Sequence, residues 1–171
     1  MLRFPVLPIS VILLALTAPL LAFSVSAQEA EKPKGVNLWQ PGDSGERLFI
    51  SGWVHDSDNQ PIAGAELRIW QADGDGMYQP DRYRTLLTTN EEGKYGFGTV
   101  VPGQYAGVKH IHMIVTHDDY PPMETRVLFI GDPYLNEETQ RELAIFLEET
   151  NVDNEKVMYG RFDIEMKRAG E

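Results

Sequence analysis

The chain has 171 residues, a formal net charge of −11 and no cysteine. That charge repels phosphate backbones and anionic lipid, which argues against nucleic-acid and membrane-surface partners. Without cysteine the fold must be held by an apolar core, with no disulfide to help it, and the length suits a single domain.

Residues 1–27 begin Met1-Leu2-Arg3, continue through the apolar run Val11–Leu16 and reach Val25-Ser26-Ala27, small residues where a signal peptidase cuts. This predicts a signal peptide and an exported, periplasmic or extracellular, protein. Arg3 is the only charge removed, so the mature chain is one unit more negative. Residues 28–46, with Pro33, Gly35, Pro41 and Gly42, read as a flexible N-terminal arm. The folded domain is expected over residues 47–168.

Leu48–Val54 is apolar and β-branched and precedes the turn cluster Asp56–Pro61. Ala65–Trp70 alternates Ala65, Leu67 and Ile69 with Glu66, Arg68 and Trp70, the period of a half-buried strand. Further strands are predicted at Thr85–Thr89, Lys94–Val100, Lys109–His117, Thr125–Phe129 and Tyr159–Met166. From Glu137 to Glu149 Leu143, Phe146 and Leu147 recur at helical spacing behind a capping Asn136, predicting one short helix. The fold class is therefore all-β, a β-sandwich of mixed short strands with one helix near residues 137–149.

Chemistry concentrates at Lys109-His110-Ile111-His112. Side chains two apart in a strand share a face, so His110 and His112 project together while Ile111, Met113 and Val115 pack on the other side. Two such imidazoles can share a metal ion, and they can equally be two hydrogen-bonded histidines. Tyr105 follows the turn Val101-Pro102-Gly103-Gln104, and Tyr78 follows Gly76-Met77; either alone is more often a core or rim aromatic. Tyr83 ranks behind Tyr78. His55 and His117 read as exposed, and Asp73, Asp75 and Glu91-Glu92 as solvated turns lacking the ligand spacing that calcium needs.

Taken together, these residues resemble the intradiol ring-cleaving dioxygenase family, in its stand-alone exported branch. The resemblance rests on Ile50-Ser51-Gly52-Trp53-Val54, on Leu67-Arg68-Ile69-Trp70-Gln71-Ala72-Asp73 leading to Gly76-Met77-Tyr78, on Pro102-Gly103-Gln104-Tyr105 with His110-Ile111-His112, and on Leu128–Pro133. It implies Fe(3+) as cofactor, with Tyr78 and His112 as equatorial ligands and Tyr105 and His110 as axial ones. It further implies that Tyr105 leaves the metal and acts as base when a catechol-type diol binds, and that O2 opens the ring to a cis,cis-muconate-type diacid. Phenolate and imidazole suit ferric iron, whereas tyrosine is not a usual zinc ligand.

One departure stands out. The family pattern places an arginine three residues before the first histidine, where this chain has Gly107. Arg82, Arg84 and Lys109 are the candidates to replace it, and specificity is expected on loops 72–84, 104–109 and 118–124. Two other readings compete. One is a non-catalytic binding module of the transthyretin-like or carboxypeptidase regulatory-like kind, which shares the Gly-x-Tyr and Pro-Gly-x-Tyr pattern. The other is a catechol- or iron-binding protein without turnover.

Overall fold

A computed structural model describes residues 35–152 and 154–170; the expected signal peptide and residues 28–34 of the arm lie outside them. The strands are β1 (Val36–Asn37), β2 (Arg47–Asp56), β3 (Glu66–Gln71), β4 (Arg84–Thr88), β5 (Lys94–Val100), β6 (His110–His117) and β7 (Tyr120–Phe129). After the helix α1 (Glu137–Leu143) come β8 (Ala144–Ile145), β9 (Leu147–Val152), β10 (Glu155–Arg161) and β11 (Ile164–Met166).

Two sheets form. One runs β1-β5-β2-β10-β9, with β11 also paired to β2; the other runs β4-β3-β6-β7-β8. The alternation read in the sequence sets which side each strand buries. Leu67 and Ile69 from β3, and Ile111, Met113 and Val115 from β6, face Leu48, Ile50, Val54 and Phe97 of the first sheet, all fully buried. Burying each such side chain stabilises the fold by about 1.5–3 kcal/mol before chain entropy is set against it. This is the predicted sandwich.

Three local readings change. The stretch 35–46, expected as part of a flexible arm, is tied to the sandwich: β1 pairs with β5, and the Asp43 carboxylate meets the Arg82 guanidinium at 2.8 Å. The helix begins as expected, with the Asn136 side chain accepting the Thr139 N–H at 2.8 Å and Glu137 and Glu138 in the first turn. It ends at Leu143, not Glu149. Ala144 and Ile145 pair with β7, and Leu147–Val152 pairs with β10, so sheet edges claim the backbone that the apolar spacing assigned to a helix. Leu143 and Phe146 are left 59% and 64% exposed. Finally, the closing strand is two strands, β10 and β11, both parallel to β2 and separated at Phe162-Asp163.

Candidate metal centre

The two tyrosines are carried by separate loops, and Asp73 joins those loops. Its Oδ1 accepts the N–H groups of Asp75 (3.0 Å) and Met77 (2.9 Å), and its Oδ2 accepts the Gln79 side-chain amide (2.7 Å). Its main-chain carbonyl accepts the Gly103 N–H at 2.8 Å, which brings in the loop that leads to Tyr105. A Cβ at Gly76 would collide with the Gln104 carbonyl oxygen, so the close approach of the loops requires glycine there. Asp73 is buried, not the solvated turn residue the sequence suggests. Burial pushes its carboxyl up, but the donated hydrogen bonds outweigh that and hold it below the usual value.

Held this way, Tyr78 and Tyr105 meet edge to face with ring centroids 4.6 Å apart. Burial, and then the neighbouring Tyr105, push the Tyr78 phenol above its ordinary range, so its phenolate needs a cation. Tyr105 is 46% exposed. It forms a bridge with Val108 across the two-residue turn Ala106-Gly107, whose φ values of 51° and 108° are both left-handed.

That turn leads directly to the histidines. Val108 presents its carbonyl oxygen to His110 Nδ1 at 2.9 Å. A carbonyl only accepts, so Nδ1 carries the proton and Nε2 is left with its lone pair. His110 Nε2 lies 2.9 Å from His112 Nε2. His110 is buried and His112 half-buried, and the Trp70 indole stacks on the His112 ring at 4.7 Å and 4°. The start of this strand is fixed by a second buried carboxylate, Asp132, whose oxygens accept the N–H groups of Lys109 (2.7 Å) and Tyr134 (2.9 Å).

The histidine pair has an unmet requirement. If His112 carries its proton on Nδ1, two Nε2 lone pairs face each other; if on Nε2, the buried Nδ1 is a bare acceptor. That Nδ1 has no hydrogen-bond partner among the described residues. Burial foremost, then His110 and Arg126, lower the His112 pKa, with Glu124 opposing, so protonation is disfavoured as a remedy. A shared cation would take both Nε2 lone pairs and so remove their repulsion, while the His112 Nδ1–H would stay without a partner among the described residues. Two nitrogens bound at about 2.1 Å to one ion, at a right angle, lie about 3.0 Å apart, close to the separation here. Among the described residues no three His, Cys, Asp or Glu side chains cluster, so a metal held by this pair must draw its remaining ligands from other groups. Tyr105 and Tyr78 offer phenol oxygens, hard anionic donors that fit ferric iron.

The other candidates are occupied elsewhere. Tyr83 is buried, and its phenol is pushed up to about 12 by burial and by Asp43. Arg82 is committed to Asp43 and lies over the Tyr83 ring at 4.7 Å. His55 is half-buried against Trp53 and bonded to the Asp56 carbonyl. His117 and the Asp118-Asp119 turn lie at the end of β6 opposite His110, about 20 Å of strand away, so that loop does not border the centre as expected. The residues missed from sequence are Asp73 and Asp132 as loop anchors and Arg126, which stands opposite His112 on β7. Asp73-Gly-Asp-Gly and Gly-Asp-Pro signal turns, but their burial has no local signature.

Comparison with known proteins places the chain in a family. A family model described as a dioxygenase matches residues 22–109. Hydroxyquinol 1,2-dioxygenase of Rhizobium sp. (strain MTP-10005) is 29% identical over 136 residues, covering 64% of this chain and 46% of that protein. Chlorocatechol 1,2-dioxygenase of Rhodococcus opacus is 29% identical over 148 residues, covering 68% of this chain and 56% of the relative. The chain thus spans about half the length of these curated relatives. The dioxygenase domain of a dioxygenase–carbohydrate-binding protein fusion from Streptomyces sp. SirexAA-E superposes with a TM-score of 0.64 at 25% identity, covering 81% of this chain and 92% of that one.

Proposed function

Because the chain belongs to the intradiol ring-cleaving dioxygenase family, we propose that it uses ferric iron to cleave a catechol-type diol with O2. The bond between the two hydroxylated carbons breaks, and both oxygen atoms enter a cis,cis-muconate-type diacid. The observation that carries this reading is the His110–His112 pair, whose two Nε2 atoms face each other at 2.9 Å, the separation that two ligands of one ion would have. The family match also favours this reading over the binding-module alternative. The relatives' hydroxyquinol and chlorocatechol support an aromatic 1,2-diol as substrate class.

Tyr78, Tyr105, His110 and His112 would hold the iron. Bound there, Fe(3+) would supply Lewis acidity that activates the diol toward O2, so no external reductant is needed. The chain's own contributions differ by residue. His110 keeps its Nε2 lone pair forward because Val108 fixes the proton on Nδ1. Trp70 holds the His112 ring plane. Tyr78 is the more enclosed phenol and stays in place as an anionic ligand. Tyr105 is the exposed one, on a tight turn, so its Oη is free to leave and accept a proton from an incoming diol hydroxyl. The leader-like sequence of residues 1–27 supports a proposal of export, with action on diols outside the cytoplasm.

The test is the visible spectrum of the iron-loaded protein with Tyr105→Phe and His112→Ala beside it, followed by oxygen uptake with a panel of catechols. A tyrosinate-to-iron charge-transfer band that shifts with catechol and collapses in His112→Ala is the expected result. A colourless iron-loaded protein overturns the assignment, and a colour change without oxygen uptake makes the protein a diol binder.

A further inference from the structure

Strand register lays out the outer face of the second sheet. Trp70 is paired with Arg84 on β4 and with His112 on β6, and His112 is paired with Arg126 on β7. Directly opposed residues share a face, so Arg84, Trp70, His112 and Arg126 form one row. The Trp70 indole covers one flank of His112 and separates it from Arg84. Arg126 is the neighbour on the other flank.

Arg68 and Arg84 are, like Arg126, exposed and without a hydrogen bond or ion pair among the described residues, so what sets Arg126 apart is that it combines this with the place beside His112. Arg47, Arg82, Arg141 and Arg161 all meet carboxylates, as an acidic surface makes easy. Arg126 is exposed and, among the described residues, makes no hydrogen bond or ion pair, although Glu124 stands two residues along the same face. Its charge is therefore available beside the histidine pair. The backbone at Gly107 also excludes the simplest alternative. With φ at 108°, an arginine there would be strained whatever space it had. Lys109 precedes His110 and so projects from the opposite face.

We propose that Arg126 is the substrate-binding cation of this centre, its guanidinium donating charge-assisted hydrogen bonds to an anionic oxygen of the diol seated beside His112. The inference rests on the reading of the centre as an iron–diol site. Opposed Cα atoms lie about 5 Å apart, within the reach of an arginine side chain. The planar fork remains charged at any working pH and can serve two acceptors at once, as neighbouring diol oxygens would require.

The experiment is an equilibrium titration of the iron-loaded full chain with 4-nitrocatechol under nitrogen, for wild type, Arg126→Gln, Arg126→Lys and the control Arg84→Gln. Oxygen uptake with catechol is measured alongside. Arg126→Gln should weaken binding about 10–100-fold, Arg126→Lys should recover part of it, and Arg84→Gln should stay within about twofold of wild type. Iron content and thermal midpoint should be unchanged by Arg126→Gln. Binding by Arg126→Gln as tight as by wild type overturns the assignment, as does loss of iron in that variant. If wild type binds 4-nitrocatechol without consuming oxygen with catechol, ring cleavage falls, and the Kd ratio of Arg126→Gln to wild type still decides the role of Arg126. A wild type that binds no diol overturns both.

Discussion

His110 turns its Nε2 toward His112 Nε2, 2.9 Å away, because Val108 holds the far nitrogen of its ring. The same Val108 bridges Tyr105 across a two-residue turn. One short segment therefore sets the tautomer of a histidine and the place of a phenol, and changes around it should be read in stability as well as in metal binding.

The Ala106-Gly107 turn is the most direct case. Ala106 pays for a left-handed φ of 51°, and Gly107 at 108° is tolerated only for lack of a Cβ. Gly107→Ala should destabilise by about 1–2 kcal/mol. Ala106→Gly should be neutral or stabilising by up to about 1 kcal/mol. Urea unfolding of the two variants measures both, and equal effects would remove the turn from the account.

Asp73 makes the centre sensitive to acid. Its carboxyl is held below its unfolded value of 3.8, so in the native state it stays ionised where the unfolded chain takes up a proton. Its contribution is complete above about pH 4 and is lost as pH falls through the native value. Asp73→Ala should cost about 2–4 kcal/mol, since three donors lose their acceptor, and should weaken iron binding by loosening the Tyr78 loop. Thermal melts from pH 3 to 7 should show a shallower acid slope in Asp73→Asn. An unchanged slope would show that other carboxylates set it.

Trp70 touches no metal in this arrangement but fixes the plane of His112 at 4.7 Å. Trp70→Ala should lower iron affinity about 10–100-fold, in line with other groups that orient a ligand, while Trp70→Phe should retain most of it. Competition with a coloured chelator measures the difference.

At the helix, Asn136→Ala should cost about 1 kcal/mol through the lost cap on the Thr139 N–H. Because α1 buries no side chain, iron binding should be unaffected. A calorimetric melt together with the iron stoichiometry checks both halves of that expectation.

What the sequence determined by itself is what depends on near neighbours. The period of two in Ala65–Trp70 and in His110–Val115 fixed which side chains face the core and put both imidazoles on one face, because successive residues of a strand alternate whatever lies opposite. Asn136 with Glu137 and Glu138 fixed the helix start for the same local reason. The Tyr78, Tyr105, His110 and His112 motifs were also legible, as a resemblance. Tertiary structure decided the rest. The helix stops at Leu143 because β7 and β10 pair with the residues beyond it, and no local signal announces a partner strand distant in the chain. Asp73 is buried because the loop from Gly103 closes over it. Arg126 stands beside His112 only through the β6–β7 register, and a one-residue slip would turn it to the other face of the sheet.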